Sequence, residues 1–230
     1  MNSQRRRVAL IHALEESVQP ARAAFSECWP ESYAFDLLDT SLAEDFAHSG
    51  KLDADMVGRF QALAQYAAGS TGIGGRAAGI LFTCSAFGPA IDAVKACSPI
   101  PVLRPNESAF EAALQMGCRL GLLVTFGPSK QSLETELRSM AAEKGQTVEI
   151  RTVLAEGALA ALKRGHGHEH DRIVAEAAVG LGAVDAIILG QFSLARARDV
   201  VTAACRRPVI TTPHSAVLAL RHRIEQGQRT

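Results

Sequence analysis

The chain repeats one of its own passages at a fixed distance, and this repeat constrains the fold more than any other feature of the 230 residues. Residues 78–110 align without gaps onto residues 185–217, a shift of 107 positions that carries Cys84 onto Gln191. Matching positions carry the same residue in several places, including Ile80 and Ile187, Ala90 and Ala197, Asp92 and Asp199, Pro101 and Pro208, Val102 and Val209, and Ser108 and Ser215. The repeat predicts two lobes of one design.

Short apolar runs alternate with longer segments of helical period, which is the pattern of an α/β fold. The predicted strands cover residues 8–13, 33–38, 79–83, 102–103, 120–125, 148–153, 186–189 and 209–210. The predicted helices cover residues 17–28, 53–68, 87–96, 107–116, 129–144, 168–181, 193–205 and 215–224. Near-continuous aliphatic strands are typical of parallel sheets covered by helices on both faces. We therefore expect two Rossmann-like lobes, with the active site in the cleft between them.

The repeat also predicts where the lobes begin and end. The first lobe should comprise residues 1–105 together with 208–230, and the second residues 106–207. The final strand and helix are given to the first lobe because they match the passage at Val102, where the chain crosses between lobes. No linker rich in Pro, Gly or Ser separates the halves, so we expect them to dock tightly.

The composition excludes several classes of function. Lys plus Arg and Asp plus Glu balance at 24 each, so no net field attracts nucleic acid or an anionic membrane surface. No apolar stretch approaches the ~20 residues that a membrane span needs, and the N-terminus lacks a long apolar segment before a cleavage site. The sequence predicts a soluble cytoplasmic protein whose partner is a small-molecule substrate.

One of the five cysteines differs from the others by its position. The five are odd in number, scattered and without a CxxC pair, which argues against a disulfide framework and a structural zinc site. Cys84 ends the apolar run GILFTC and directly precedes a predicted helix. Backbone N–H groups and a helix dipole at that place are expected to lower the pKa of the thiol. Cys84 is therefore the predicted catalytic residue.

The other candidate site residues lie at the ends of predicted strands, because ligands of open parallel sheets bind beyond the carboxyl ends of the strands. We predict that the following residues bind substrate: His12, Thr83, Ser85, Ala86, Thr125, Gln191, Phe192, Ser193 and His214. For Thr83, Ser85 and Ser193, capping of the following helix is an equal alternative. For His12, a hydrogen bond to a neighbouring loop is the alternative.

Two conspicuous strings are not predicted to bind a cofactor. HGHEH at residues 166–170 lies far from every predicted strand end, so we expect a surface loop and helix cap instead of a metal site. TGIGG at residues 71–75 precedes a strand instead of following one, so we expect a turn. The sequence also lacks GxGxxG after the first strand, a P-loop and a lysine in a Schiff-base setting. No cofactor and no metal are expected.

The TCS context of Cys84, the matching second strand end and the closing PVITTPHSAV together resemble the aspartate, glutamate and hydantoin racemase superfamily. That superfamily also contains maleate isomerases and arylmalonate decarboxylases. The resemblance covers nearly the whole chain. It implies a cofactor-independent enzyme that moves a proton, or adds a thiolate, at a carbon next to a carboxylate. The family's first catalytic cysteine maps to Cys84 and its second to Gln191, and a glutamine cannot act as a general acid or base near neutral pH.

Three functions stay open at this point. An isomerase or racemase-like enzyme would use Cys84 as base or nucleophile on a small carboxylic acid or hydantoin-like substrate, with Gln191 as a hydrogen-bonding partner. A lyase or hydrolase of the same fold would use Cys84 alone, in decarboxylation or C–N cleavage. A small-molecule binding protein would have kept the cleft without turnover. Dimers are common for this fold by analogy, so a homo-oligomer is compatible with all three.

Overall fold

Parallel strands alternate with helices along residues 5–227, which are the residues that the computed structural model describes. The strands are β1 Arg7–His12, β2 Tyr33–Leu38, β3 Thr71–Gly72, β4 Gly75–Phe82, β5 Val102–Leu103, β6 Arg119–Val124, β7 Glu149–Leu154, β8 Ala186–Leu189 and β9 Val209–Thr211. The helices are α1 Val18–Cys28, α2 Ser41–Ser49, α3 Ala54–Gly69, α4 Gly88–Cys97, α5 Glu107–Met116, α6 Ser129–Glu143, α7 Ala158–Lys163, α8 Gly167–Val179, α9 Arg198–Cys205 and α10 Thr212–Gln226. The predicted α/β class is confirmed.

The chain divides into two units, each with its own parallel sheet. One unit contains the described residues of Met1–Pro105 and Pro213–Thr230, and the other contains Asn106–Thr212. In the first sheet β2, β1, β4 and β5 run parallel, and β3 forms a short antiparallel hairpin with the start of β4. In the second sheet the order is β7, β6, β8, β9, all parallel. The repeated passage thus begins in β4 of one sheet and at β8 of the other.

The last strand stays with the second sheet, so the expectation that residues 208–212 belong to the first lobe is wrong. β9 pairs with β8, with Val209 opposite Ile187 and Thr211 opposite Leu189. This pairing satisfies the backbone groups on the edge of β8 that faces away from β6. Only α10, from Pro213 onward, belongs to the first unit.

Close packing against helices fixes the strands in each unit. In the first unit a Cβ on Gly79 of β4 would lie 2.7 Å from Cδ1 of Ile224, so α10 packs directly on this strand. In the second unit α5 and α6 cover one face of the sheet, through residues such as Phe110 and Leu137. The other face packs on α8 and α9, through residues such as Val174. The carboxyl ends of the strands therefore have defined positions within each unit.

Two short helices are not predicted by the sequence patterns. α2 buries only Leu42 and Ala43, and α7 buries only Ala158 and Ala161, so neither gives a clear helical period. The TGIGG string is a turn, as predicted, because Gly74 joins β3 to β4 with a φ of 86°. None of the helices in the described part of the chain is long and apolar enough to cross a membrane.

Candidate functional site

The carboxyl edge of the first sheet gathers five of the predicted site residues. Ile11 pairs with Phe82, so His12 and Thr83 follow side by side, and the Thr83 N–H donates to the Ile11 carbonyl at 3.0 Å. Cys84 comes next and is followed by a short 3₁₀ helix, Ser85–Phe87. All five residues are buried, namely His12, Thr83, Cys84, Ser85 and Ala86.

His12 is fully buried, and both of its ring nitrogens have hydrogen-bonding partners. Nδ1 lies 2.8 Å from Oγ1 of Thr83, and Nε2 lies 3.0 Å from Oδ1 of Asp36. The guanidinium of Arg22 donates twice to Oδ2 of Asp36, at 2.8 and 2.5 Å. Burial raises the pKa of the Asp36 carboxyl, but the hydrogen bonds from His12 and Arg22 outweigh it and leave that pKa below its usual value. The partners of His12 therefore lie on β2 and at the end of β4, and not in a loop.

The expected lowering of the Cys84 pKa is wrong. Burial raises the pKa of the thiol to about 11, although a hydrogen bond from the Ala86 N–H acts in the opposite direction. The expected lowering by a helix dipole is absent because a 3₁₀ helix follows β4 first and α4 begins only at Gly88. The dipole of α4 therefore starts about one turn beyond the sulfur, and its effect falls off within a turn. At neutral pH this thiol is protonated and needs a base before it can react.

The hydroxyl groups near the strand ends are not helix caps in this structure. Cys84 and Phe87 hold the N-cap positions of the 3₁₀ helix and of α4. In the second unit Gln191 holds the N-cap position of the 3₁₀ helix Phe192–Ala197. Thr83, Ser85 and Ser193 hold none of these positions, so the capping alternative for them is not realised here.

His214 lies in the first turn of α10 and pairs with α1. Its Nε2 is 2.8 Å from Oε2 of Glu27, and the side chain is 32% exposed. The chain of contacts around His12 runs instead to Asp36 and Arg22. His12 and His214 are thus hydrogen-bonded to different carboxylates.

In the second unit the carboxamide of Gln191 is buried and firmly held. Its Oε1 accepts from the Thr125 N–H at 2.6 Å, the Thr125 hydroxyl at 2.8 Å and the Phe126 N–H at 3.3 Å. Its Nε2 donates to Oγ of Ser129 at 2.9 Å, and that hydroxyl donates to the Phe126 carbonyl at 2.7 Å. Because backbone N–H groups only donate, the oxygen and nitrogen of the amide cannot be exchanged. Gln191 is therefore tied to the turn between β6 and α6.

A glycine brings Gln191 within reach of that turn. A Cβ on Gly190 would lie 2.9 Å from Cδ1 of Leu122 and 3.0 Å from the Leu123 carbonyl oxygen, so β8 ends close against β6. Phe192 and Ser193 follow and are buried, in a 3₁₀ helix where the sequence pattern predicts an α-helix. Thr125, Gln191, Phe192 and Ser193 thus lie at the carboxyl edge of the second sheet.

The HGHEH string is the beginning of α8 and not a surface loop, but the predicted cap is present because His166 holds the N-cap position of this helix. His166 is exposed and lies 3.3 Å from a carboxylate oxygen of Glu169. His170 is fully buried, because it lies on the helix face that packs inward, and its Nδ1 is 2.8 Å from Oδ1 of Asp171. Burial lowers the pKa of His170. Within residues 5–227, no group of three or more His, Cys, Asp or Glu side chains is arranged to hold a metal ion.

Sequence reasoning misses the residues that hold His12 and Gln191 in place. Asp36 lies inside β2 and not at its end, so a search of strand ends overlooks it, although a lone acid in YAFDLL is a usable signal. Arg22 lies on α1, and only the tertiary fold brings it to Asp36. Ser129 stands at the start of α6, where a serine is ordinary.

Comparisons with known proteins agree with this architecture. Solved structures with similar folds include glutamate racemase from Francisella tularensis in complex with D-glutamate, at 12% identity, a TM-score of 0.75, and coverage of 98% of this chain and 83% of that chain. Aspartate racemase from Picrophilus torridus is 13% identical, with a TM-score of 0.70 and coverage of 96% of this chain and 94% of that chain. Allantoin racemase from Pseudomonas fluorescens is 12% identical, with a TM-score of 0.69 and coverage of 96% of this chain and 92% of that chain. At these identities the likeness shows the fold alone.

The family assignment comes from the sequence itself. A search of curated proteins finds no significant match to this chain. The family model described as Asp/Glu/Hydantoin racemase, however, matches residues 9–220. This match covers all but the first two residues of β1 among the strands, and every candidate site residue. The chain therefore belongs to the Asp/Glu/Hydantoin racemase family.

Proposed function

We propose that this protein is a racemase-type isomerase that acts on a small carboxylic acid or hydantoin-like substrate, with Cys84 as thiolate base or nucleophile. The family match supports a racemase-like enzyme, and racemases are isomerases. The observation that carries the proposal is the place of Cys84, two residues beyond the end of β4, at the carboxyl edge of its sheet. Ligands of parallel sheets bind at that edge.

The proposed chemistry begins at the carbon next to the substrate carboxyl or carbonyl group. The Cys84 thiolate takes the proton from this carbon, so the S–H bond forms while the C–H bond breaks, and the electron pair stays on the substrate. Thr83, Ser85, Ala86 and His214 are proposed to surround the substrate in the first unit. Return of the proton by the same thiol gives exchange with retention of configuration. Inversion needs a donor on the other face.

Gln191 is proposed to bind the substrate without moving a proton. Its oxygen already accepts three hydrogen bonds, and Ser129 takes one of its two amide hydrogens. No group in the described part of the chain takes the second amide hydrogen, which therefore can bind a carboxylate or carbonyl oxygen. Thr125, Phe192 and Ser193 are proposed to bind substrate together with Gln191 in the second unit. A cytoplasmic location is also proposed, because all five cysteines are free thiols, as in a reducing compartment.

The proposal is tested by solvent-deuterium incorporation at the α-carbon of amino acids, hydantoins and substituted malonates. We expect exchange with at least one α-hydrogen compound, and we expect Cys84→Ser to abolish it. Loss of CO₂ from a malonate without exchange elsewhere would support the single-cysteine lyase instead. A ligand that raises the melting temperature without reacting would support a binding protein. Exchange that survives in Cys84→Ser would contradict the proposed role of the thiol.

A further inference from the structure

The 3₁₀ helix Phe192–Ala197 of the second unit is longer than its counterpart in the first unit. In the repeat, the 3₁₀ helix Ser85–Phe87 matches its first three residues, and α4 begins directly afterwards at Gly88. The second copy stays in 3₁₀ form through the matching positions, and α9 begins only at Arg198. Runs of 3₁₀ helix beyond about three or four residues are uncommon, because their hydrogen bonds have poor geometry. The added residues therefore need support from elsewhere in the unit.

Arg196, in this added stretch, forms a two-point ion pair with α8. Its Nε donates to Oδ1 of Asp171 at 2.8 Å, and one of its terminal nitrogens donates to Oδ2 at 3.1 Å. Burial raises the pKa of the Asp171 carboxyl, but the hydrogen bonds from Arg196 and His170 outweigh it and leave that pKa below its usual value. The carboxylate is therefore ionised at neutral pH, and both of its oxygens can accept. A bidentate pair of this kind fixes the direction of the guanidinium as well as its distance.

The HGHEH string at the start of α8 forms the other side of this contact. Gly167 and Asp171 lie four residues apart, so they share one face of the helix. A Cβ on Gly167 would lie 2.7 Å from Cζ of Arg196, so the glycine lets the guanidinium lie against the first turn of α8. His170 is buried, and its Nδ1 lies 2.8 Å from Oδ1 of the Asp171 carboxylate, which therefore has a fixed direction. The string thus forms the binding place of an arginine side chain.

We propose that Arg196 is a positioning residue, which holds the 3₁₀ helix against α8 and thereby fixes Phe192 and Ser193 at the carboxyl edge of the second sheet. This inference rests on the proposed function, in which these two residues bind substrate. The Leu194 N–H closes the first turn of the 3₁₀ helix by donating to the Gln191 carbonyl oxygen at 3.1 Å. Release of Arg196 would loosen this turn, which carries the side chains of Phe192 and Ser193.

The ion pair adds direction to apolar contacts that already join these elements. Leu194 and Ala197 are fully buried in the cluster that contains Val174 of α8. Burial of apolar surface is not directional. The two hydrogen bonds of Arg196 are directional, so they restrict rotation of the 3₁₀ helix about its own axis. Removal of the guanidinium should therefore leave the unit folded and loosen only the 3₁₀ helix.

The test is hydrogen–deuterium exchange of the backbone amides, followed by mass spectrometry, in the absence of substrate. Arg196→Gln should raise the exchange rate of the amides of residues 192–195 at least about threefold, because local opening no longer has to break the ion pair. Gly167→Ala keeps both charges but displaces the guanidinium, so it should act in the same direction. The matched control is Arg172→Gln, which breaks an exposed pair with Glu176 on the same helix and should leave these amides unchanged.

The link to substrate binding is tested with a compound that the protein exchanges at the α-carbon. Arg196→Gln should raise its KM at least about threefold while kcat changes less, because Phe192 and Ser193 are proposed to bind substrate and the thiol of Cys84 lies in the first unit. The free energy of unfolding, measured with urea, should stay close to the wild-type value. A merely structural role would lower that free energy without this split between KM and kcat.

Equal amide exchange in the wild type and Arg196→Gln would overturn the inference, and so would a rise of the same size in Arg172→Gln. If Arg196→Gln fails to fold, Gly167→Ala decides, and unchanged amides in that variant contradict the proposal. Faster amide exchange with an unchanged KM would overturn the link between the ion pair and substrate binding. Because amide exchange is measured without substrate, failure of the proposed function is distinguishable from failure of the Arg196 role.

Discussion

Replacement of Gln191 by methionine tests the hydrogen bonds that define the second sheet edge. Methionine has nearly the same shape and fills the same space, but it offers no strong acceptor to the donors around Oε1. The Thr125 and Phe126 N–H groups would then be buried without partners. Each such group costs about 1–3 kcal/mol. The Phe126 contact is long at 3.3 Å, and the Thr125 hydroxyl can rotate toward another acceptor, so we expect a total loss of about 2–4 kcal/mol.

The matched variant is Gln191→Glu, which keeps an oxygen at the position of Oε1. Three donors converge on that oxygen and offset part of the cost of burying a carboxylate, although the Nε2 donor to Ser129 is lost, so we expect this variant to lose less stability than Gln191→Met at neutral pH. Urea unfolding of the three proteins, with the m-value compared between them, gives the free energies of unfolding. A Gln191→Met protein within about 0.5 kcal/mol of the wild type would refute the argument that these buried donors depend on the amide.

Four further results are expected. Cys84→Ser should abolish exchange but change the free energy of unfolding by no more than about 1 kcal/mol, whereas a loss of several kcal/mol would mark Cys84 as a packing residue. In the ligand-free protein at mildly alkaline pH, the exposed thiols of Cys97 and Cys118 should be alkylated before Cys84, because Cys84 is buried and its pKa is raised; preferential labelling of Cys84 would contradict this. Burial lowers the pKa of His170 in the folded state, so the unfolded state binds more protons below about pH 6.5. The free energy of unfolding should therefore fall as the pH drops below that value. In thermal unfolding, His170→Gln should show a weaker dependence on pH in this range. Activity should survive a chelator, and a stoichiometric metal bound through HGHEH in the untagged protein would contradict the prediction of no metal.

The sequence predicts much of the fold because its strand signal is strong. The runs at Tyr33–Leu38 and Ala186–Leu189 give the observed bounds, since short, mostly apolar runs flanked by turn residues are typical of strands. The repeat does not predict that β9 stays with β8, because strand pairing depends on contacts between residues far apart in the chain. Equivalence in sequence does not say which sheet a strand joins.

In the candidate site, too, the sequence predicts which residues lie at strand ends but not the properties that depend on tertiary contacts. Position relative to strand ends selects His12 and Thr83, which the structure joins at 2.8 Å, and their role in substrate binding stays a prediction. The pKa of Cys84 is predicted in the wrong direction, because it depends on burial and on the helix beginning only at Gly88. Asp36 escapes prediction because its role depends on the register between β1 and β2.

The central claim is that one thiol, Cys84, carries the chemistry, because Gln191 at the matching position of the repeat cannot act as an acid or base. The direct measurement starts from each enantiomer of an exchanging substrate in D₂O, and follows deuterium incorporation and optical rotation together for the wild type and Gln191→Cys. We predict that the wild type exchanges one enantiomer much faster than the other with little inversion, and that Gln191→Cys raises inversion by supplying a thiol at the second position. Comparable rates of exchange and inversion from both enantiomers in the wild type would contradict the claim.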